Sequence, residues 1–204
     1  MRINKKRFIY LISPNKIYPQ FYQDLKKVLN TDKVALFQLR LKKYSLKQKI
    51  VIGKKVQQIC KKNNVKFIVN DDPLLSKKLN ADGCHLGQKD MSVKNARKII
   101  GNKIIGITCH NSIKLAKAAI KENASYIAFG AFFSTTTKKV KFKANIKILN
   151  KIKKLTKTPK VAIGGINFDN YKKLLLNNAN LLAISGYVWN NKKYKPLETI
   201  EKLK

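Results

Sequence analysis

The chain has 204 residues, room for one compact domain with a real core, and its 44% hydrophobic content, evenly scattered, excludes disorder as the main state. Forty-five basic residues against ten acidic ones give a formal charge of +35, yet only Arg2, Arg7, Arg40 and Arg97 are arginines, so 41 of the 45 are lysines. Proteins that grip polyanions favour the planar arginine fork and cluster it on one face; here lysine runs the length of the chain, which reads as a compositional surface, with no specific nucleic-acid partner expected.

Residues 8–12 are a short apolar run closed by Ser13-Pro14-Asn15, the pattern of a buried strand ending in a turn. A helical stretch follows over 20–29, then a strand over 34–39, a helix over 45–60 and a strand over 65–69. Asp72-Pro73 opens the next helix, with a carboxylate at the cap and proline at the first position. The alternation continues: strand 83–86, helix 92–100, strand 104–108, helix 112–122, strand 126–129. After a longer loop, 130–144, come helix 146–155, strand 160–163, helix 170–176, strand 181–185 and helix 196–203. Eight strand candidates, each followed by a helix and apolar enough to be buried on both faces, predict an α/β protein with parallel strands. A doubly wound sheet is less well matched, because the first strand is not followed by a glycine-rich turn; the paired glycines, Gly164-Gly165, and Ser185-Gly186 come at the ends of strands seven and eight. The expectation is a single (β/α)8 barrel over residues 1–204.

Cys60, Cys84 and Cys109 are odd in number and lack C-x-x-C spacing, which argues against a disulfide framework and a zinc site and for a reducing compartment. The apolar run after the basic N-terminus is too short for a signal peptide, and no stretch approaches the roughly 20 apolar residues of a membrane span. A soluble, cytoplasmic protein with no membrane partner is expected.

In such a barrel the chemistry sits at the C-terminal ends of the strands. Alternation sends Gln38, Arg40 and Lys42 to one side of strand two. Asp71 and Asp90 follow strands three and four, and two hard carboxylates with room for water suit Mg2+. Asp72 reads as a cap and Asp82 as a turn residue. His85 lies inside an apolar strand, where a satisfied interior histidine and a functional one are both open readings. Strand five ends in Thr108-Cys109-His110; Cys109 reads as a packing residue, and no acid near in sequence orients His110 as part of a triad. The loop Ser134-Thr135-Thr136-Thr137-Lys138 with Gly164-Gly165 and Ile184-Ser185-Gly186 has the hydroxyls, bare backbone and cation of a phosphate cradle.

The segments Gln38-Leu-Arg40-x-Lys42, Asn70-Asp71, 81–90, Gly106-Ile-Thr108, 126–138, 162–167 and Ile184-Ser185, in that order, resemble those of the thiamine phosphate synthase family across almost the whole chain. The resemblance implies a transferase that joins a hydroxymethylpyrimidine diphosphate to a thiazole phosphate or carboxythiazole phosphate, with Mg2+ as cofactor and release of pyrophosphate by a dissociative path that needs no protein nucleophile. It implies that the 38–42 segment (Gln38, Leu39, Arg40, Leu41, Lys42) with Asn70, Thr108 and Lys138 holds the pyrimidine diphosphate, with Arg40, Lys42 and Lys138 catalytic. Asp71 and Asp90 would hold the metal, and Thr135, Thr136, Thr137, Gly165, Ile184 and Ser185 the thiazole phosphate. Leu41 departs from the family, which usually has Glu there. The same barrel also serves a thiazole tautomerase that uses a histidine after strand five, a role His110 could fill, but an isomerase needs no diphosphate clamp. A basic, catalytically inactive nucleic-acid-binding barrel is the third reading, distinguished by absent activity and steep salt dependence.

Overall fold

The computed structural model describes residues 6–135 and 142–203. Eight parallel strands close into a barrel in sequence order: β1 Ile9–Ile12, β2 Val34–Leu39, β3 Lys66–Asn70, β4 Gly83–Leu86, β5 Ile104–His110, β6 Tyr126–Gly130, β7 Lys160–Ile163 and β8 Leu181–Ile184, with β8 pairing back to β1. The helices α1 Phe21–Leu29, α2 Leu46–Lys62, α3 Pro73–Lys78, α4 Val93–Ile100, α5 Ile113–Lys121, α6 Lys147–Lys153 and α7 Tyr171–Leu176 cover the outside. A short α8, Gly186–Trp189, directly follows β8, and α9, Pro196–Lys202, closes the ring. The (β/α)8 expectation is met strand for strand. The element unforeseen in the sequence is α8, which the Trp189 indole anchors by donating to the Ile12 carbonyl at 2.6 Å while its ring packs 5.4 Å from that of Phe21.

Parity divides each strand between two cores. Ile9, Leu11, Phe37, Leu39, Val69, Cys84, Ile107, Phe129, Ala162 and Ile184 face the helices, whereas Tyr10, Ile12, Leu36, Ile68, Tyr126, Ala128, Val161, Leu181 and Ala183 fill the barrel. Because successive side chains of a strand point oppositely, this division fixes which residues can reach the mouth. Strand five runs two residues beyond its expected end. A register shift between Thr108 and His110 lets the strand continue past Thr108 to His110, whose backbone is left-handed at φ 52.

Helix starts are capped where their side chains allow. Ser45 and Gln48 form a reciprocal capping box at α2, and Asp72, Ser92 and Ser112 accept from the backbone N–H three residues on, at Leu75, Asn95 and Leu115. At the opposite end of the barrel Asp82 accepts from the Phe67 backbone N–H and pairs with Lys66, both at 2.9 Å, so it ties β3 to the start of β4. Lys33 donates to the carbonyls of Ile200, Glu201 and Leu203, satisfying the C-terminal end of α9, where a cation is favoured.

Candidate active site at the barrel mouth

The three polar residues of the strand-two segment share one side, as parity demands, and differ in depth. Gln38 is buried inside the barrel, Arg40 is half-buried at its rim and Lys42 is exposed beyond it. The β1 turn, read in the sequence only as a strand terminator, holds Arg40: the Ser13 hydroxyl accepts from the Arg40 backbone N–H at 2.9 Å and the guanidinium donates to Asn15 Oδ1 at 2.8 Å. Burial pulls the Arg40 guanidinium below its ordinary value, opposed by the nearby Asp71 charge. The two leucines between these residues point the other way. Leu39 and Leu41 belong to the core under the helices, and with Val69 and Leu75 they line a cleft of about 310 Å3 that Lys42, Lys49, Asp71 and Asp72 also border. Their backbone, not their side chains, is what the mouth can use. The carboxylate absent at position 41 is not needed to hold Lys42, whose ammonium pairs with Asp71 Oδ2 at 3.0 Å.

Asp71 follows β3 in a left-handed conformation, φ 63, and its backbone N–H donates to the His85 carbonyl at 2.7 Å, extending the β3–β4 ladder by one step. Asp90 comes from the loop after β4, where its Oδ2 accepts from the Gly87 backbone N–H at 2.7 Å. The Asp71 and Asp90 carboxyls lie within hydrogen-bonding reach of each other and perturb each other oppositely. At Asp71, burial pushes up but the Lys42 ammonium and the Asp90 partner outweigh it, so its carboxyl sits below the ordinary value; at Asp90, burial and the Asp71 charge push up against the Gly87 N–H. Two converging carboxylates, each perturbed by the other, are a donor set that suits a hard divalent cation. Among the described residues no group of three or more His, Cys, Asp or Glu gathers, so water and ligand oxygens would have to complete such a cation's shell. Asp72, one residue on, is the α3 cap as expected.

Below the rim a polar chain threads the otherwise apolar barrel interior. Gln38 Nε2 donates to the Tyr10 hydroxyl at 2.7 Å, the Tyr10 and Tyr126 hydroxyls are 2.7 Å apart, and His85 bridges Tyr126 Oη through Nδ1 and Thr108 Oγ1 through Nε2, both at 2.9 Å. Burial lowers the His85 imidazole to about 4, against the Asp71 charge. His85 is therefore a satisfied interior histidine that also touches a candidate site residue, Thr108. Tyr10 and Tyr126 escaped the sequence reading, because each sits in an apolar run; the available signal was that a buried tyrosine hydroxyl must find a partner.

Asn70 ends β3 half-buried, level with His85 in the register. On the far side of the mouth, Phe132 N–H and Phe133 N–H donate to the carbonyls of Ile163 and Gly164 at 3.1 Å each, fastening the loop after β6 to the end of β7. Gly165 stands at φ 63, and a Cβ there would overlap the Ser134 carbonyl, so the close approach requires glycine. Thr135 is half-buried at the end of this stretch, while Thr136, Thr137 and Lys138 lie outside the described residues. Ser185 donates from Oγ to the Ser13 carbonyl at 3.2 Å, linking β8 to the turn that holds Arg40. The Ile184 side chain is buried under the helices and leaves only its backbone to the site. Cys109 is buried in the same outer layer, with burial pushing its thiol up to about 12, which fits packing and not nucleophilic chemistry. His110 packs its ring 4.2 Å from that of Phe142.

The whole arrangement has close counterparts. A thiamine-phosphate synthase of Pelagibacter ubique is 66% identical over 204 residues, covering 100% of this chain and 98% of that one, and one of Erythrobacter litoralis is 40% identical over 187 residues, covering 89% and 88%. Among solved structures, a thiamine phosphate pyrophosphorylase from Pyrococcus furiosus superposes with a TM-score of 0.86 at 28% identity, covering 98% of this chain and 94% of its own. The family model described as thiamine monophosphate synthase matches residues 9–188, from the first barrel strand into the short helix after the eighth, and on that span the chain belongs to the thiamine monophosphate synthase family.

Proposed function

We propose that the chain joins a hydroxymethylpyrimidine diphosphate to a thiazole phosphate, releasing pyrophosphate and forming thiamine phosphate in the cytoplasm, without a nucleic-acid or membrane partner. The observation that carries this reading is the convergence of Asp71 and Asp90 beside Lys42, with Arg40 held at the same rim. Mg2+ held by the two carboxylates would neutralise the diphosphate as it departs. Arg40 and Lys42 would bind its oxygens and stabilise the charge that develops on them, and Lys138 would add a third cation. The C–O bond to the diphosphate breaks with its electron pair leaving on oxygen, and the thiazole nitrogen lone pair forms the new C–N bond, so no protein nucleophile is required. Gln38, Asn70 and Thr108 would orient the pyrimidine. Leu39 and Leu41 would contribute backbone alone to the pyrimidine diphosphate, and Thr135, Thr136, Thr137, Gly165, Ile184 and Ser185 would present hydroxyls and bare backbone N–H groups to the thiazole phosphate.

Incubation with both substrates and Mg2+, followed by mass, should yield thiamine phosphate and lose it in EDTA. Isomerisation of a thiazole carboxylate phosphate without that product would instead assign the barrel to a tautomerase and make His110 the residue to mutate.

A further inference from the structure

The chain Gln38, Tyr10, Tyr126, His85 and Thr108 runs through five different strands, and its hydrogen bonds can be directed. Gln38 Nε2 can only donate, so Tyr10 Oη accepts from it. The Tyr10 proton then has the Tyr126 hydroxyl as its partner; left elsewhere it would be a buried donor unpaired, and no buried side-chain polar atom among the described residues lacks a partner. Tyr126, having accepted from Tyr10, gives its own proton to His85 Nδ1. That nitrogen must therefore carry no hydrogen, which places the imidazole proton on Nε2, where it is donated to Thr108 Oγ1. Thr108 accepts from the histidine and keeps one hydroxyl proton to give. Its residue is half-buried at the mouth, the end of the relay that is not enclosed.

We propose that Tyr10, Tyr126 and His85 are positioning residues that hold the Thr108 hydroxyl by donating His85 Nε2–H to it, so that Thr108 presents its own proton to an acceptor on the pyrimidine substrate, a ring nitrogen or a phosphate oxygen. This rests on the synthase reading above. The relay is built for a fixed direction. Gly106 leaves the space that the Tyr126 ring fills, since a Cβ there would overlap the ring, and the Tyr126 and His85 rings stack at 5.6 Å with an interplanar angle of 12°. Rings so enclosed keep their oxygen and nitrogen atoms in place, so the direction of the bonds is set by Gln38, the end that donates into the relay.

The sequence contains two histidines, His85 and His110, which makes the test direct. Long-range 15N–1H correlation spectra of the full chain with 15N-labelled histidine, without substrate, should show His85 as the Nε2–H tautomer. Gln38→Glu, at a pH where its carboxylate is ionised and can only accept, should reverse the relay and convert His85 to Nδ1–H. An Nδ1–H tautomer in the wild type overturns the proposal, whether or not the protein makes thiamine phosphate. In the enzyme assay, Thr108→Ser should retain activity within about threefold, while Thr108→Val and Tyr126→Phe should raise KM for the pyrimidine diphosphate at least tenfold and leave KM for the thiazole phosphate within about threefold. Equal rises in both KM values, or none, would reduce the relay to a structural feature and overturn it. Absence of activity in the wild type with the Nε2–H tautomer intact would sink the synthase reading and, with it, the proposed ligand of Thr108.

Discussion

Only ten acids stand in this chain, and most have a local job that accounts for them. Asp24 accepts from the Tyr18 hydroxyl, Asp32 pairs with Arg7, Asp72 caps α3, Asp82 ties β3 to β4, and Glu122 and Glu198 accept backbone N–H groups of Lys94 and Lys195. Asp71 and Asp90 instead face each other, a repulsive arrangement unless a proton or cation lies between them. Neighbours in sequence should therefore separate in assay: Asp72→Ala should cost about 1 kcal/mol in urea unfolding, the usual loss for a cap, with activity preserved, whereas Asp71→Ala should abolish activity with a smaller effect on stability. Lys42→Gln should likewise lower kcat at least a hundredfold yet shift stability by less than about 1 kcal/mol, because its ion pair with Asp71 is largely exposed. His85 predicts a pH effect of definite sign. Its imidazole titrates near 4 in the folded chain against an ordinary 6.5, so above 6.5 nothing is lost, and as pH falls from 6.5 toward 4 the unfolded chain gains a proton that the folded chain refuses. Stability should fall across that window by about 3 kcal/mol from this residue, and urea unfolding of His85→Gln at pH 7.5 and 4.5 should show a correspondingly smaller drop.

At the level of elements, strand and helix order was legible because alternating short apolar runs and periodic helical stretches carry it, and Asp72-Pro73, Ser92 and Ser112 marked helix starts correctly. Ends were less legible where tertiary geometry decides them: the register shift that carries β5 on to His110 answers to its pairing with β6, and α8 exists because Trp189 finds the Ile12 carbonyl. Among the candidates that the structure gathers at the mouth, Asp71, Asp90, Arg40 and Gly165 were legible because charge is scarce or glycine is forced there. It was not legible at Tyr10, Tyr126, Ser13 and Asn15, whose roles depend on partners in distant strands. Gly165→Ala tests one such forced position. With φ at 63 and the Ser134 carbonyl in the way, the substitution should displace the loop after β6, lowering the melting temperature by several degrees and raising KM for the thiazole phosphate more than that for the diphosphate.

Across the whole molecule, a closed barrel with separate inner and outer cores gives the mouth a rigid frame, and the +35 charge works against that compactness through self-repulsion. Raising salt from about 20 to 500 mM should therefore raise the melting temperature, and any DNA retention should vanish over the same range in step with the salt dependence of diffuse charge. The most direct measurement is thiamine phosphate formation by wild type and Asp71→Asn across a Mg2+ titration. Saturable Mg2+ dependence in the wild type, and loss of product by at least a hundredfold in the variant, is the predicted result; full turnover in EDTA, or a variant as active as the wild type, would contradict the assignment of the carboxylate pair to diphosphate departure.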